Sequence, residues 1–391
     1  MQIAYLYPEH LGKRAARLLQ VAATVRALGR QDGVRVHLLV GRFAGLERRL
    51  AQLGLVAGPG LSLRPVAMWQ PGPGLPLVFS WHLPYHLAAM RDLGRLAGQG
   101  LGWVLVRHLK LADFLLPRLP ALGLRMLFEA HELFSQTARE EGRDAAKVAA
   151  LEALEQRVFS GAQALAAISQ PLAQALAARP GVAGPVALAP SGVEEAFFLV
   201  DDGRREPDLV AYAGGLGPWK GVDLLLQAVA RVPQARLEVL GGRPGSPDWQ
   251  RLTALAGALG LGDRLSLRAQ ADQEAVRELL GRAAVAVWPG TARQRIAAEF
   301  TSPLKLFEYL AAGCAVLAPE LPAARAVLSQ DENARLFVAD DADALAQALR
   351  RLLAEPAAAR RLGQAGRQLA RSYTWDARAR ALLQAMSEAR R

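Results

Sequence analysis

Short apolar runs alternate with helical segments along the chain, and this alternation restricts the fold to parallel sheets covered by helices. A first series extends from residue 1 to about 190, with strands predicted at QIAYLY, VRVHLLV, WVLVRH, RMLFEA, ALAAIS and VALAPSGV. The polar stretch EEAFFLVDDGRREPD precedes a second series, with strands at LVAYAGG, RLEVLGG, RLSLRA, VAVWPG and AVLAPE. The pattern predicts an α/β protein made of two Rossmann-like halves.

The length of 391 residues is sufficient for two domains that each bury a core. We assign residues 1–191 to an N-terminal domain, 192–207 to a linker and 208–370 to a C-terminal domain. Residues 371–391 are predicted to form a helix, and packing of that helix on the N-terminal domain is a further hypothesis. Because ligands bind at the carboxyl ends of the strands in such sheets, we expect the two domains to face each other across a central cleft.

The formal net charge of +11 predicts an anionic partner. The charge alone does not distinguish among nucleic acid, a lipid surface and a phosphorylated small molecule. Only five of the 47 basic residues are lysines. Against this arginine bias, a lysine indicates a position that needs a compact charge on a flexible stem. Lys220 and Lys305 both lie beside predicted helix N-termini, so we single them out.

A glycine-rich turn follows the first strand of the second series, in VAYAGGLGPWKGVDLLLQAVARV. Its glycines allow backbone N–H groups to approach a ligand, and the following helix N-terminus offers those donors to an anion. Lys220 adds a full charge at the same place. The same glycines also fit a plain tight turn or a loosened dinucleotide fingerprint. A dinucleotide site would require an acidic residue after the next strand, whereas RLEVLGGRPG ends in glycines and arginine.

A second cationic helix start lies in SPLKLFEYLAAG. Ser302 is predicted as the N-cap, Pro303 as the first helical residue and Gly313 as the C-terminal stop. Lys305 then falls in the first turn, where the helix dipole already carries positive potential. A pyrophosphate bound between Lys220 and Lys305 would explain both placements.

Glu308 lies about one helical turn beyond Lys305. A carboxylate at this position can accept two hydrogen bonds from hydroxyl groups, and the ribose of a nucleotide offers two such groups. The alternative is an i, i+3 Lys–Glu pair on the protein surface. The sequence leaves both interpretations open.

Four stretches carry a family resemblance, namely YAGGLGPWKGVDLLLQA, SPLKLFEYLAAG, APSGVEEAFF and YTWDARARALL. They resemble the retaining nucleotide-sugar glycosyltransferases of the GT-B fold, in the family 4 group (glycosyl transferases group 1). The likeness covers most of the second half and extends loosely to the first through FEAHELF and LAAIS. It implies a nucleotide-diphosphate sugar as donor substrate and a reaction that requires neither a metal nor another cofactor.

By position, the resemblance implies that Lys220 binds the donor diphosphate and Glu308 the ribose, and His131 matches the active-site histidine of the family. We predict catalytic roles for His131, Lys220 and Lys305, the last from its charge at the helix start. The implied donor site consists of Gly215, Gly217, Lys220, Gln270, Ala271, Thr301, Ser302, Pro303, Leu304, Lys305 and Glu308. Within it, residues 301–304 approach the sugar and phosphate, and residues 270–271 face the base. Gly12 and Lys13 are placed on the acceptor side with His131, whose alternative role is that of a hydrogen-bonded histidine at a strand end.

The sequence departs from the family pattern at two positions. Many members have a basic residue where this chain has Gly215, so we expect Lys305 to compensate for a missing diphosphate contact. Many also have a glutamate that touches the donor sugar where this chain has Phe300, and Glu299 is displaced by one position. The identity of the donor sugar therefore stays open.

No metal site is predicted. All six histidines lie in the first half, so the donor half has none to contribute to a shared metal site. Residues 340–343, DDAD, contain an Asp-x-Asp pattern, which we interpret as the N-cap of the helix that follows. Cys314 is predicted to be a small core residue.

Residues 50–90 carry Arg64 as their only formal charge and include MWQPGPGLPLVFSWHLPYH. A buried strand and loop would account for part of this segment. Exposed aromatic side chains in a Pro/Gly loop beside arginine-rich helices would suit a lipid-linked acceptor. We expect a cytoplasmic enzyme of glycan biosynthesis, and peripheral contact with the anionic inner face of the membrane is a further hypothesis.

These observations favour a retaining, metal-independent transferase that moves a sugar from a nucleotide-diphosphate sugar to a glycan or lipid-linked acceptor. A sugar-nucleotide epimerase or a phosphorylase of the same fold is the alternative among enzymes. A basic nucleic-acid-binding protein is the alternative of another class. The sequence disfavours it, since no basic run is interleaved with aromatic residues and the arginines are scattered over helix faces.

Overall fold

The computed structural model describes residues 1–9, 16–68 and 83–389. The chain divides into two compact units. The N-terminal unit contains residues 1–192 together with the C-terminal segment from residue 375, and the C-terminal unit contains residues 193–374. Gly12 and Lys13 lie outside the described residues, as does most of the aromatic segment between Arg64 and Leu83.

The strands are β1 (Gln2–Tyr7), β2 (Arg35–Gly41), β3 (Leu61–Val66), β4 (Trp103–Val106), β5 (Arg125–Ala130), β6 (Ala164–Ala167), β7 (Val186–Leu188), β8 (Glu206–Ala213), β9 (Arg236–Leu240), β10 (Leu265–Arg268), β11 (Ala283–Val287), β12 (Ala315–Pro319) and β13 (Arg335–Phe337). In the N-terminal unit the sheet order is β3-β2-β1-β4-β5-β6-β7, and in the C-terminal unit it is β10-β9-β8-β11-β12-β13. The pairings are parallel in both sheets. The prediction of two Rossmann-like α/β domains is confirmed.

The α-helices are α1 (Ala16–Gly29), α2 (Leu46–Gln52), α3 (Leu83–Ala97), α4 (Leu109–Leu115), α5 (Phe134–Glu140), α6 (Ala145–Gly161), α7 (Gln170–Ala177), α8 (Val222–Ala230), α9 (Pro247–Ala258), α10 (Gln273–Arg282), α11 (Arg295–Ala298), α12 (Leu304–Ala311), α13 (Pro322–Arg325), α14 (Ala342–Ala354), α15 (Pro356–Ala370) and α16 (Trp375–Glu388). Short 3₁₀ helices occur at Pro120–Leu122, Glu195–Leu199, Pro218–Lys220, Gly262–Arg264 and Arg371–Tyr373. Among the described residues, no helix combines the length and the apolar character needed to cross a bilayer.

Two strands were not assigned bounds from the sequence: β3 lies in the segment 50–90, where a buried strand and loop were expected for part of the length, and β13 was not anticipated. β3 is the edge strand of its sheet, and its sequence LSLRPV contains an arginine and a proline that interrupt the apolar run. β13 is also an edge strand and comprises only three residues. Edge strands are half-covered, so they need no continuous apolar run and are harder to recognise.

The sheet of the C-terminal unit has a topological switch point between β8 and β11. From β8 the chain proceeds to β9 and β10 on one side, and from β11 it proceeds to β12 and β13 on the other. The two central strands pair with Val210 opposite Val285 and Ala211 opposite Ala286, after a register shift between Ala283 and Val285. In such sheets the crevice at the carboxyl ends of the two central strands is where ligands bind. The connections that follow β8 and β11 therefore border the expected site.

The helix after β8 is held against the sheet by the face that its sequence predicts. Val222, Leu225, Leu226 and Val229 lie at i, i+3, i+4 and i+7, and each is at most 1% exposed. Cys314, at the start of the β12 region, is likewise fully buried, which confirms the core role predicted for it. The packing of α8 on the sheet fixes the position of the backbone in the connection that precedes this helix.

Candidate active site

The glycine-rich connection between β8 and α8 is shaped by two close approaches. Gly214 has φ +149°, and a Cβ added to it would lie 2.5 Å from Nζ of Lys305. Gly221 has φ +76°, and its Cβ would overlap the carbonyl oxygen of Pro289, which follows β11. Both positions require glycine because the backbone conformation and the neighbouring atoms exclude a side chain. The two connections at the switch point are therefore in direct contact.

Gly215 is different from its neighbours. It is exposed, its φ lies outside the left-handed region, and a Cβ added to it would meet its nearest neighbour, Cε of Lys220, at 4.0 Å. The backbone and the surrounding space would thus accept a side chain at this position. The family resemblance leads us to expect a basic residue at this position. Lack of space does not explain its absence.

Lys220 ends the 3₁₀ turn Pro218–Lys220, directly before Gly221 caps α8. Its Nζ lies 3.4 Å from the centroid of the Trp219 ring, and Trp219 is itself 48% exposed. Burial lowers the pKa of Lys220 to about 8. The structure thus presents a partly desolvated ammonium group at the N-terminal end of a helix, where an anion would stabilise its charge.

Lys305 lies in the first turn of α12, as predicted, but the start of this helix was assigned incorrectly. Pro303 has extended backbone torsions (φ −73°, ψ 119°) and is the N-cap, so the first helical residue is Leu304. Ser302 is therefore not the N-cap and Pro303 is not the first helical residue. The physical reason is that the ψ angle of Pro303 directs the chain out of the helical path before the first turn begins.

The ammonium group of Lys305 points towards the glycine-rich connection. Its Nζ donates a hydrogen bond of 2.6 Å to Oη of Tyr212, which in turn donates a 2.6 Å hydrogen bond to the carbonyl oxygen of Gly215. Burial lowers the pKa of Lys305 well below its usual value, and the charge of Lys220 lowers it further, whereas Glu308 acts in the opposite direction. The two lysines are close enough for the charge of one to disfavour protonation of the other. An anion bound between them would relieve this repulsion.

Glu308 is half-buried on the next turn of α12. Burial raises the pKa of its carboxyl group to about 7. Nε2 of Gln273, the first residue of α10, donates a 3.4 Å hydrogen bond to Oε1 of Glu308. The other polar atom of that amide, Oε1 of Gln273, is buried and has no hydrogen-bond partner among the described residues. A ligand with hydroxyl groups would satisfy both side chains.

The remaining predicted donor residues lie on the connections that border this site. Gln270 and Ala271 are exposed and follow β10, and the N–H of Gln270 donates to the carbonyl of Gly242 at 2.9 Å. They precede Gln273 by a few residues, which places their segment beside Glu308. Residues 301–304 are half-buried and lead directly into Lys305. Gly217 is the N-cap residue of the 3₁₀ turn that ends at Lys220.

The second departure from the family pattern, Phe300 with Glu299 beside it, has a clear structural setting. Phe300 is 3% exposed and so belongs to the interior. Glu299 forms an ion pair of 2.6 Å with Arg295, one turn earlier in the chain. Neither side chain therefore occupies the role of a free carboxylate towards a sugar.

The Asp-x-Asp pattern is explained by local structure, which confirms the N-cap interpretation. Asp341 is the N-cap of α14, and its side chain accepts hydrogen bonds from the N–H groups of Asp343 and Ala344. Asp340 accepts a 2.7 Å hydrogen bond from Oγ1 of Thr291. Within residues 1–9, 16–68 and 83–389, no group of three or more His, Cys, Asp or Glu side chains is arranged to hold a metal ion.

In the N-terminal unit, His131 follows β5 and its side chain is 17% exposed. Its Nε2 contacts Oε1 of Glu129, so the histidine is hydrogen-bonded. Burial lowers the pKa of His131 to about 4, Arg107 lowers it further, and Glu129 acts in the opposite direction. The ring is therefore neutral at pH 7. With Nε2–H donating to Glu129, Nδ1 is the basic nitrogen of this ring.

The match to known protein families lies within the C-terminal unit. Residues 200–369 match the family model described as Glycosyl transferases group 1. A D-inositol 3-phosphate glycosyltransferase from Xylanimonas cellulosilytica is 31% identical over 183 residues, which cover 46% of this chain and 42% of that protein. The matched part thus spans less than half the length of this curated relative.

Solved structures resemble the chain over nearly its whole length. Sucrose-phosphate synthase from Thermosynechococcus elongatus superimposes with a TM-score of 0.76 at 21% identity, covering 99% of this chain and 98% of that one. HepE from Anabaena, solved in complex with UDP, superimposes with a TM-score of 0.74 at 15% identity, covering 99% and 100%. At these identities the likeness concerns the fold, and the fold of the chain is that of the GT-B glycosyltransferases.

Proposed function

We propose that this chain is a glycosyltransferase that moves a sugar from a nucleotide-diphosphate sugar to an acceptor hydroxyl. The observation that carries the proposal is the convergence of Lys220 and Lys305 at the switch point, beside the start of α8 and in the first turn of α12. Two partly desolvated ammonium groups and two helix starts form a site for a multiply charged anion. The family match of residues 200–369 supports a sugar-transfer role for that anion site.

The reaction breaks the bond between the anomeric carbon of the sugar and the diphosphate oxygen, and forms a bond from that carbon to the acceptor oxygen. The acceptor hydroxyl gives its proton to the leaving diphosphate, which departs from the same face. Negative charge develops on the leaving diphosphate, and Lys220 and Lys305 stabilise it. A fixed positive site of this kind serves without a metal ion, so we propose metal-independent catalysis. Attack on an oxocarbenium-like sugar from the face that the diphosphate leaves gives retention of configuration, in line with the family resemblance.

Glu308 and Gln273 are proposed to hold the nucleoside part of the donor. The carboxylate of Glu308 can accept hydrogen bonds from two ribose hydroxyls, and the unpartnered Oε1 of Gln273 can accept another from the ligand. Residues 270–271 lie on the same connection and are proposed to face the base. HepE, which shares the fold and was solved in complex with UDP, supports a nucleotide as the ligand of this fold.

The acceptor is proposed to bind the N-terminal unit near His131. Its class, a glycan or a lipid-linked sugar, rests on the sequence argument, since Gly12, Lys13 and the aromatic segment lie outside the described residues. The Xylanimonas relative is named for an acceptor that carries a phosphate. Neutral His131 presents a basic ring nitrogen that can accept a hydrogen bond from an attacking hydroxyl.

A screen of UDP-, GDP-, ADP- and dTDP-sugars for release of the nucleoside diphosphate, with and without candidate acceptors, tests the proposal. We expect one donor to be consumed by the wild type and not by Lys220→Met. Lys147→Met is the matched control, because Lys147 is 71% exposed and paired with Asp144. Turnover of a donor by folded Lys220→Met at the wild-type rate would refute the assignment.

The same screen separates the alternative functions. An epimerase would convert the donor sugar without consuming an acceptor. A phosphorylase would require inorganic phosphate in place of a sugar acceptor. A nucleic-acid-binding protein would leave all donors intact and would bind duplex or single-stranded oligonucleotides with a steep salt dependence.

A further inference from the structure

A buried ion pair joins the last helix of the chain to the strand that precedes His131. Nη2 of Arg378, on α16, lies 2.7 Å from Oε1 of Glu129, at the end of β5, and both side chains are 1% exposed. An ionised carboxylate at this depth would be strongly destabilising without a partner. Arg378 therefore compensates the charge of Glu129.

Arg378 is held in place by neighbours on several elements of the N-terminal unit. Its Nε donates a 3.0 Å hydrogen bond to Oγ1 of Thr24 on α1. Its Nη1 donates to the carbonyl oxygens of Ala189 and Pro190, which follow β7. A planar guanidinium with these partners has one orientation. Its Nη2 meets Glu129 as an ion pair without hydrogen-bond geometry, so Arg378 fixes the position of the carboxylate through charge.

Glu129 uses the same oxygen for Arg378 and for His131. Oε1 contacts Nη2 of Arg378 and Nε2 of His131, and Oε2 accepts from Oη of Tyr5 at 3.5 Å. Burial by itself would raise the pKa of Glu129, but Arg378 and His131 outweigh it and hold the pKa well below its usual value. The carboxylate thus stays charged and keeps Nε2 of His131 as the donor.

We infer that Arg378 is a positioning residue for the acceptor side of the active site. It holds Glu129 in one place, and Glu129 holds the His131 ring with Nε2 inward and Nδ1 as the atom that can meet the acceptor hydroxyl. This role rests on the proposed function, in which His131 lies at the acceptor. It gives α16, the helix that follows the entire C-terminal unit in sequence, a part in the chemistry of the N-terminal unit.

A purely structural ion pair would predict different results from a positioning role. If the Arg378–Glu129 pair contributed only to stability and the Glu129 carboxylate did not orient His131, removing both charges in Arg378→Met/Glu129→Gln would restore stability and activity together. If it orients His131, the double variant would be stable but slow, because the amide that replaces the Glu129 carboxylate could hold the ring in either orientation. Because Arg378→Lys keeps the positive charge, it should retain more activity than Arg378→Met. It has fewer donors for the carbonyl oxygens of Ala189 and Pro190, so it should be less active than the wild type.

The test compares the full-length wild type with Arg378→Met, Arg378→Lys and the double variant. Thermal unfolding is measured together with kcat and the donor KM. The ring titration of His131 is followed by NMR of histidine-labelled protein, with the signal assigned through His131→Gln. Arg179→Met is the matched control, because Arg179 pairs at 3.4 Å with Glu155, a buried carboxylate of the same unit that accepts hydrogen bonds from Ser135.

We expect Arg378→Met to lower kcat tenfold or more, as expected when the group that orients the acceptor hydroxyl is misplaced, with the donor KM changed less than twofold. The charged groups that act on His131 are Glu129, Arg107 and Arg378, and Arg378 lowers its pKa. The titration midpoint of His131 should therefore rise in Arg378→Met and stay near the wild-type value in Arg378→Lys and in Arg179→Met. If Arg378→Met does not fold, the double variant provides the kinetic result.

A folded Arg378→Met with wild-type kcat and an unshifted His131 midpoint would overturn the inference, as would a double variant that regains full activity. The titration does not depend on turnover. A shifted midpoint in a protein that transfers no sugar would therefore leave the Arg378–His131 link standing and would reject the proposed function instead.

Discussion

Nζ of Lys305 lies 2.6 Å from Oη of Tyr212, and the hydroxyl of Tyr212 continues the chain of hydrogen bonds to the carbonyl of Gly215. This relay links the first turn of α12 to the connection after β8, on the two sides of the switch point. It places the Lys305 ammonium beside Gly215, where the family resemblance leads us to expect a basic side chain. The arrangement supports our proposal that Lys305 supplies the diphosphate contact that Gly215 lacks.

The first prediction follows from the space at Gly215. Lys305→Met should weaken binding of the nucleotide-sugar donor about tenfold to a hundredfold, as expected for the loss of one charge-assisted contact. Adding Gly215→Arg to that variant should recover part of the affinity, because the position is open and its backbone accepts a side chain. Isothermal titration calorimetry with the donor measures both effects. Gly215→Ala is the control and should bind like the wild type.

The second prediction concerns Lys220, whose charge is costly without a ligand. Lys220→Met should reduce kcat about a hundredfold, because a contact to the leaving group is worth roughly 3 kcal/mol. Since burial lowers the pKa of this lysine from its usual 10.5 to about 8, the folded state loses stability as pH falls from 10.5 to 8. At pH 7 the free energy of unfolding of the variant should therefore exceed that of the wild type by on the order of 1 kcal/mol. Its denaturation midpoint should be correspondingly higher.

At pH 11 this stability difference should vanish, since the lysine is then neutral in both states. Denaturant titrations at the two pH values, with Lys147→Met alongside, make the comparison. A Lys220→Met protein that is clearly less stable than the wild type at pH 7 would show that this lysine supports the fold rather than a ligand.

The third prediction is a pH optimum for donor binding. Burial raises the pKa of Glu308 to about 7, so below pH 7 the carboxyl group is protonated and accepts hydroxyl hydrogen bonds less well. Above pH 8 Lys220 loses its charge. Affinity for an intact nucleotide sugar, whose diphosphate does not titrate in this range, should be highest between about 7 and 8. Glu308→Gln should bind more weakly and should lose the acidic limb of the profile.

The fourth prediction concerns metal ions. Because lysines and helix starts are proposed to carry the positive charge, transfer should proceed at an unchanged rate in excess EDTA. Initial rates with EDTA, with added Mg²⁺ and with added Mn²⁺ provide the measurement. Abolition of activity by EDTA and its recovery with either metal would reject metal-independent catalysis.

The sequence was most informative where local chemistry decides the structure. Alternating apolar runs predict the parallel sheets, and the spacing of Val222 to Val229 predicts the buried face of α8. The two lysines and Glu308 were identifiable because glycines and helix starts flank them. Each of these signals lies within one turn or one helix.

The features that the sequence did not predict depend on contacts between distant parts of the chain. Tyr212 was counted only as a strand residue, and its bond to Lys305 exists because two connections meet at the switch point. Gln273 meets Glu308 only through the packing of α10 beside α12. Arg378 is one of many arginines in the sequence, and its burial against Glu129 requires α16 to return to the N-terminal unit. Composition and periodicity carry no record of such pairings.

The central claim is that the site at the switch point releases a nucleoside diphosphate because its sugar has been transferred. The most direct measurement is to follow, in one reaction, the nucleoside diphosphate released and the glycoside formed, and to determine the anomeric configuration of the product by NMR. We predict one glycoside for each diphosphate, with the configuration of the donor retained. Diphosphate release without a glycoside, or a product with inverted configuration, would contradict the account.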